Sequence, residues 1–157
     1  MKLSLWCIGK TNESYLKEGI QQYCKKLPHY LPFEYIEWPD VKNREKLSID
    51  LLKKEEEKLI LSKLSTSDYL ILLDEQGETM SSKGFAQYLQ KKGNSINGTC
   101  VLLIGGAYGF SEALYQRANG KISLSPMTLS HQMVRLFAVE QLYRAYSILR
   151  GEKYHHD

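Results

Sequence analysis

The sequence predicts an α/β protein with a mostly parallel sheet flanked by helices. Three observations carry that expectation. Short, nearly continuous apolar runs read as strands covered on both faces. Amphipathic stretches of helical period separate them, and strands that alternate with helices imply parallel crossovers. A glycine-rich turn, Gly105-Gly106-Ala107-Tyr108-Gly109, follows directly on the run Val101-Leu102-Leu103-Ile104, so the backbone there turns tightly or something approaches it closely.

The elements follow in order. Lys2 to Ile8 alternates Leu3, Leu5 and Cys7 against Lys2 and Ser4 before Gly9, the pattern of a strand ending in a turn. Thr11 or Asn12 can cap a helix over Glu13 to Leu27, where Tyr15, Leu16, Ile20 and Tyr23 recur at helical spacing and Pro28 stops it. Phe33 to Trp38, enclosed by Pro32 and Pro39, is a second strand, and Asp40 to Asn43 is loop. Arg44 to Leu64 reads as a helix with Leu51, Leu52, Leu59 and Ile60 on one side; its charge run from Lys53 to Lys58 reads as a solvated face with weak pairs such as Lys53 to Glu57. Asp68 to Leu73 is a third strand ending at Asp74-Glu75-Gln76-Gly77. Ser81 or Ser82 starts a helix through about Lys92, stopped by Gly93-Asn94, and Thr99 to Ile104 is the fourth strand. Ser111 caps a short helix over Glu112 to Ala118, Lys121 to Ser125 is a strand, and Ser130 caps a last helix from His131 to Leu149.

At 157 residues and 43% hydrophobic composition, one domain over residues 1–157 with a real core is expected. No stretch approaches the ~18 to 20 apolar residues that span a bilayer, and no secretory h-region follows Lys2, so a cytoplasmic protein without a membrane partner is expected. Cys7, Cys24 and Cys100 are odd in number and lack C-x-x-C spacing, which argues for reduced, buried thiols and against a disulfide framework or a zinc site. A net charge of +3 is compatible with a nucleic-acid partner without demonstrating one.

The glycine turn and the loop after Lys121 to Ser125 lie at the ends of two expected parallel strands, so they can form one crevice. The turn does not match G-x-G-x-x-G, the next strand ends in Ser123-Leu124-Ser125-Pro126 with no ribose-binding acid, and no Lys-Ser or Lys-Thr pair completes a phosphate loop. What remains is a ligand held chiefly by main chain, such as an adenine ring whose faces pack on Leu73, Leu124 and Leu129. A branched side chain at Gly105 would occupy the ligand's space on this reading; a glycine turn that serves only helix packing is the alternative.

LLIGGAYG, ISLSPMTLSHQMVRLFAVEQLYRAYSI and the terminal KYHHD, together with KLSLWCIGK and LPFEYIEWPD, resemble the RlmH family of SPOUT-class RNA methyltransferases over the whole chain. The resemblance implies a SPOUT-type α/β fold with a C-terminal trefoil knot, a topology that periodicity does not reveal because threaded chains are almost absent from proteins. It implies a homodimer, S-adenosylmethionine as methyl donor, no metal, and N3 methylation of a pseudouridine in 23S rRNA of the large subunit within the ribosome. Carried over residue by residue, the donor pocket comprises Leu73, Gly105, Leu124, Ser125, Pro126, Met127, Thr128 and Leu129. The Pro126-Met127 pair departs from the family's pattern, which a pocket built from main chain tolerates.

A sulfonium already makes its methyl electrophilic, so the protein must align the attacking nitrogen and manage one proton. Candidates near the chain end are His131, Arg144, Tyr154, His155 and His156. His131, in the first turn of the last helix, has a packing role as its ready alternative and is not selected. Arg144 lies four residues after Glu140, which can orient the guanidinium toward RNA phosphate or a deprotonating uracil ring. Isolated, YHHD would be a frayed tail; the family pattern makes Tyr154 and His155 functional, with His155 in the range for a base and Tyr154 able to stack or hydrogen-bond. The apolar residues of the last helix, Met133 through Tyr146, surround more of its circumference than one core face needs, which points to a homodimer interface. Two other readings stand beside this one: a non-enzymatic RNA-binding dimer, and an enzyme acting on a small nucleotide.

Overall fold

The computed structural model describes residues 1–156; Asp157 of the tail lies outside the described residues. Among the described residues β1 (Lys2–Ile8), β2 (Phe33–Trp38), β3 (Tyr69–Thr79), β4 (Thr99–Ile104) and β5 (Gly120–Ser123) form one sheet in the order β2-β1-β4-β3-β5. Every neighbouring pair is parallel, so all strands end on the same edge. Successive side chains go to opposite faces. Leu3, Leu5, Cys7, Ile71, Leu102 and Ile104 pack beneath α1 (Ser14–Lys26), α3 (Ser82–Ser95) and α5 (Met133–Leu149). Trp6, Ile8, Leu70, Leu72, Val101 and Leu103 pack against α2 (Ile49–Lys63) and α4 (Glu112–Arg117) on the other face. No helix among the described residues is long and apolar enough to cross a membrane. Cys7 and Cys100 are buried and Cys24 half-buried, and burial pushes the three thiols up to about 11, 12 and 12 respectively.

The expected elements are present with four differences, each set by tertiary structure. Arg44–Lys46 is a separate 3-10 turn entered through Asn43 at φ 56, and α2 begins only after Ser48, whose Oγ accepts from the Leu51 amide at 3.2 Å. The α2 charge run is not wholly solvated either: Glu56 is 7% exposed on the buried stripe Leu52-Glu56-Ile60, and the ion pair that forms is Lys58 with Glu55 at 3.1 Å. α3 continues through Gly93-Asn94 to Ser95, where the Ser95 hydroxyl donates to the carbonyls of Lys91 and Lys92 and Ile96 is buried. β3 runs past Leu73 to Thr79, because Leu73 and Glu78 both oppose Ile122 of β5 and the residues between them loop out. At Gly77 a Cβ would lie 2.5 Å from the carbonyl carbon of Ile122, so only glycine allows the two backbones to cross this closely.

α5 lies between α1 and α3 within the subunit. Gly19 of α1 admits Leu136, whose Cδ1 would stand 2.9 Å from a Cβ there; Tyr143 meets Tyr23 with ring centroids 5.8 Å apart, and Tyr146 stacks on Tyr30. The chain's own helices cover part of the circumference of α5, while Met133 stays 37% exposed and Val134, Leu136, Phe137, Tyr143 and Tyr146 are only partly buried, so apolar surface remains on the helix.

The N-terminal end of α5 is fixed by Arg135, which is 1% exposed. Its guanidinium donates to the carbonyls of Ile8 (2.9 Å), Gly9 (2.9 Å) and His131 (3.1 Å), to Thr11 Oγ1 (3.0 Å) and to Glu37 Oε2 (3.2 Å). Glu37 also accepts from the Thr11 hydroxyl and from Tyr35 Oη at 2.9 Å. Burial opposes ionisation of Glu37, but these donors, with Arg135, hold its carboxyl below the ordinary value. Arg135→Met should cost about 3–5 kcal/mol in urea unfolding, since it strands the carboxylate and the carbonyls. The advantage of the wild type over Glu37→Gln should be full above about pH 4.5 and vanish as pH falls through the depressed folded value, which melts across pH will test.

Candidate functional site

The strands that end together at β4, β3 and β5 open into a cavity of about 650 Å³. Three segments build its walls. From within β3, where its register shifts, come Leu73, Asp74, Glu75 and Gln76. After β4 comes the glycine turn, closed by Gly109 N–H donating to the Gly106 carbonyl at 3.3 Å with Gly109 at φ 79. After β5 comes Ser123 to Ser130, a loop held by its own serines: Ser123 Oγ donates to the Ser125 carbonyl at 2.8 Å, and Ser125 Oγ accepts from the Met127 amide at 3.0 Å. Ser130 Oγ then accepts from the Met133 amide at 3.0 Å and starts α5.

Leu73, Gly105, Leu124, Ser125, Met127, Thr128 and Leu129 all line this cavity. Pro126 does not: it is exposed at the tip of the loop, because the Ser125 turn directs it outward. Gly105 has a reason within the fold: a Cβ there would stand 2.9 Å from Phe110 Cε1, because the Phe110 ring packs onto it.

Several lining residues carry no sequence signal of their own. Asp74 accepts from the Tyr115 hydroxyl and from the Gln76 amide at 2.8 Å, closing one wall. Burial and the Asp74 carboxylate push the Tyr115 phenol up to about 12, so it stays a neutral donor. His131 also lines the cavity; burial, then Arg135 and Arg44, hold its imidazole below the ordinary value and hence neutral at pH 7. From outside the cavity Glu56 of α2 reaches the glycine turn, its carboxylate packed against Gly106.

Arg144, Tyr154 and His155 come together, but elsewhere. Arg144 donates to Glu140 Oε1 through Nε (3.0 Å) and Nη2 (2.6 Å), its guanidinium carbon stands 4.7 Å from the Tyr154 ring centroid, and its Nη1 is 3.2 Å from His155 Nδ1. Arginine has only donors, so Nδ1 accepts and carries no proton. The Glu140 bonds raise the Arg144 pKa further. Tyr154 Oη donates to Glu140 at 3.1 Å and meets Tyr23 Oη at 3.2 Å; burial and these partners push its phenol above the ordinary value. None of the three lines the cavity. Val134, which does, lies ten residues before Arg144 on α5, or about 15 Å along a helix axis.

Fold and crevice together define a parallel α/β protein with a cavity at the carboxyl ends of its strands. The chain belongs to the SPOUT methyltransferase family: the family model described as "Predicted SPOUT methyltransferase" matches residues 1–155. Three relatives share the name ribosomal RNA large subunit methyltransferase H. The protein of Cytophaga hutchinsonii is 68% identical over 99% of this chain and 100% of its own length. Those of Flavobacterium johnsoniae and Parabacteroides distasonis are 55% and 50% identical, each over at least 99% of both chains. Among solved structures, the SpoU methyltransferase AviRb from Streptomyces viridochromogenes superposes with a TM-score of 0.46 at 16% identity, covering 96% of this chain and 61% of that one.

Gly105→Val should lower stability by about 1–3 kcal/mol through displacement of the Phe110 ring. Adding Phe110→Leu should recover more than half of that loss in thermal melts; a single variant as stable as wild type would show that the ring is no obstacle.

Proposed function

We propose that this protein transfers a methyl group from S-adenosylmethionine to N3 of a pseudouridine in 23S rRNA of the large subunit, acting on assembled ribosomes in the cytoplasm as a homodimer. Residues 1–157 form one SPOUT methyltransferase domain on this reading. The observation that carries it is the main-chain crevice at the strand ends, in a chain 68% identical over its whole length to a protein named ribosomal RNA large subunit methyltransferase H. The C-terminal trefoil knot belongs to the same proposal.

The crevice suits the donor in size and chemistry. Its volume of about 650 Å³ is that of a small-molecule site. Leu73, Leu124 and Leu129 offer apolar faces, main chain at Gly105 and along the 124–129 loop offers donors and acceptors for an adenine edge, and the Asp74 and Glu75 carboxylates complement a cationic ligand. The donor supplies an electrophilic methyl group; no metal takes part.

The remaining work falls to the tail cluster. Glu140 orients Arg144, which grips phosphate or stabilises charge on the uracil ring as it deprotonates. Tyr154, kept a neutral phenol, hydrogen-bonds or stacks on the base. His155 accepts the N3 proton at Nδ1 as the Arg144 N–H bonded there turns to the substrate. Because the cluster stands about 15 Å along α5 from its own crevice, the partner subunit's tail completes each site.

Mapping rRNA methylation in cells that lack the protein, then restoring it with purified protein and whole ribosomes, tests substrate and reaction together; a ribosome left unmodified would refute both. Removing residues 153–157, or His155→Ala, should leave donor binding and dimerisation intact while slowing methylation about 10²- to 10⁴-fold. Mixed dimers of a tail-deleted subunit and a pocket-blocked subunit should keep one working site if the tail acts across the interface, and none if it acts within its own subunit.

A further inference from the structure

Glu56 is the one buried carboxylate that the proposed reaction does not use. It is 7% exposed on the apolar stripe of α2, between Leu52 and Ile60. Its oxygens lie on Gly106 so closely that a Cβ there would stand 2.7 Å from Oε2 and 2.9 Å from Oε1, and the Gly106 backbone lowers the carboxyl's pKa. Gly106 belongs to the turn that lines the crevice. We propose that Glu56 is a positioning residue for the methyl donor: its carboxylate, acting from behind the crevice wall, fixes the Gly105-Gly106 backbone in the conformation that receives the ligand. This rests on the donor reading of the crevice given above.

A packing role alone does not account for a carboxylate at this place. The neighbouring positions on the stripe are leucine and isoleucine, and an apolar side chain of similar length would fill the same space without desolvating a charge. Burial, with Asp40, pushes the Glu56 carboxyl up to about 6 against the opposing influence of Arg44 and of the Gly106 backbone, so at neutral pH the ionised form is kept where the fold disfavours it. A raised folded value means that the group's stabilising contribution is complete below its ordinary value and lost as pH rises through about 6. What the carboxylate provides instead is an acceptor for an amide that would otherwise be held in a turn of uncertain geometry, since glycine itself restrains the backbone least.

Glu56→Met keeps the length and removes the acceptor; Glu56→Gln keeps a carbonyl as acceptor. At pH 7.5 Glu56→Met should melt no lower than the wild type, yet bind S-adenosylmethionine about tenfold more weakly by calorimetry, with KM for the donor raised by a like factor and kcat within about twofold. Exchange of the Gly106 amide should be faster in this variant, and Glu56→Gln should restore both affinity and protection to within about threefold. Wild-type affinity in Glu56→Met would overturn the proposal, and so would a Glu56→Gln variant as weak as Glu56→Met. A wild-type protein that binds no donor at all would instead remove the donor site, and this role with it.

Discussion

The crevice depends on one buried cation. Arg135 is the residue through which α5, the 124–131 loop and the ends of β1 and β2 share a single set of hydrogen bonds. A guanidinium offers five donors in a fixed plane, and here they meet three carbonyls, a hydroxyl and a carboxylate. Because the His131 carbonyl is one of the three, the loop that forms the far wall of the cavity is tied to the strand edge opposite it. Desolvating this charge is expensive, and good geometry with a complete partner set is what offsets it.

A wall made of main chain constrains what lies behind it more than what lines it. Side chains along 124–129 can vary so long as the backbone path is kept, and that path is fixed by Ser123, Ser125 and Ser130. The glycine turn has no such internal ties beyond one long bond from Gly109 to Gly106. Its position is set from outside, by the Phe110 ring against Gly105 and the Glu56 carboxylate against Gly106. Each glycine thus answers to a neighbour packed on it, while ligand contact falls to the exposed backbone.

The strands were legible as apolar runs or as period-two alternations between breakers, and helical periods between strands fixed their parallel sense. The extension of β3 was not, since Asp-Glu-Gln-Gly-Glu-Thr has no strand pattern and pairs only because β5 passes beside it. The crevice was legible from glycines and turn residues, except that Pro126 points away. Glu56 was hidden in a charge run, although its i,i+4 spacing from Leu52 and Ile60 already placed it on the apolar stripe. Arg135 left a similar trace, a cation on an otherwise apolar turn with no acid four residues away; its carboxylate partner and the Ile8 carbonyl come from β2 and β1, far off in sequence. The pairing of Glu140 with Arg144 was legible as an i,i+4 relation, but no local pattern gives the path of a tail.

That path determines how the proposed site must be assembled. Tyr154 is held to Tyr23, Glu152 accepts from Tyr30 at 2.7 Å, and Arg150 donates to the His29 carbonyl at 3.3 Å, so the tail is docked on α1 and the turn that follows it rather than frayed. α5 is a rigid rod with the crevice at its first turn and the tail cluster beyond its middle, and its length cannot be shortened without breaking its ladder of hydrogen bonds. A subunit that brought its own tail to its own crevice would have to undock it from α1 and lose the Glu140–Arg144–Tyr154 arrangement that makes it chemically useful. A two-fold partner avoids that cost, because an antiparallel copy of α5 presents its far end to the near end of the first. The case for a dimer therefore rests both on the apolar surface that α1 and α3 leave on α5 and on the separation between the two halves of the chemistry along one helix.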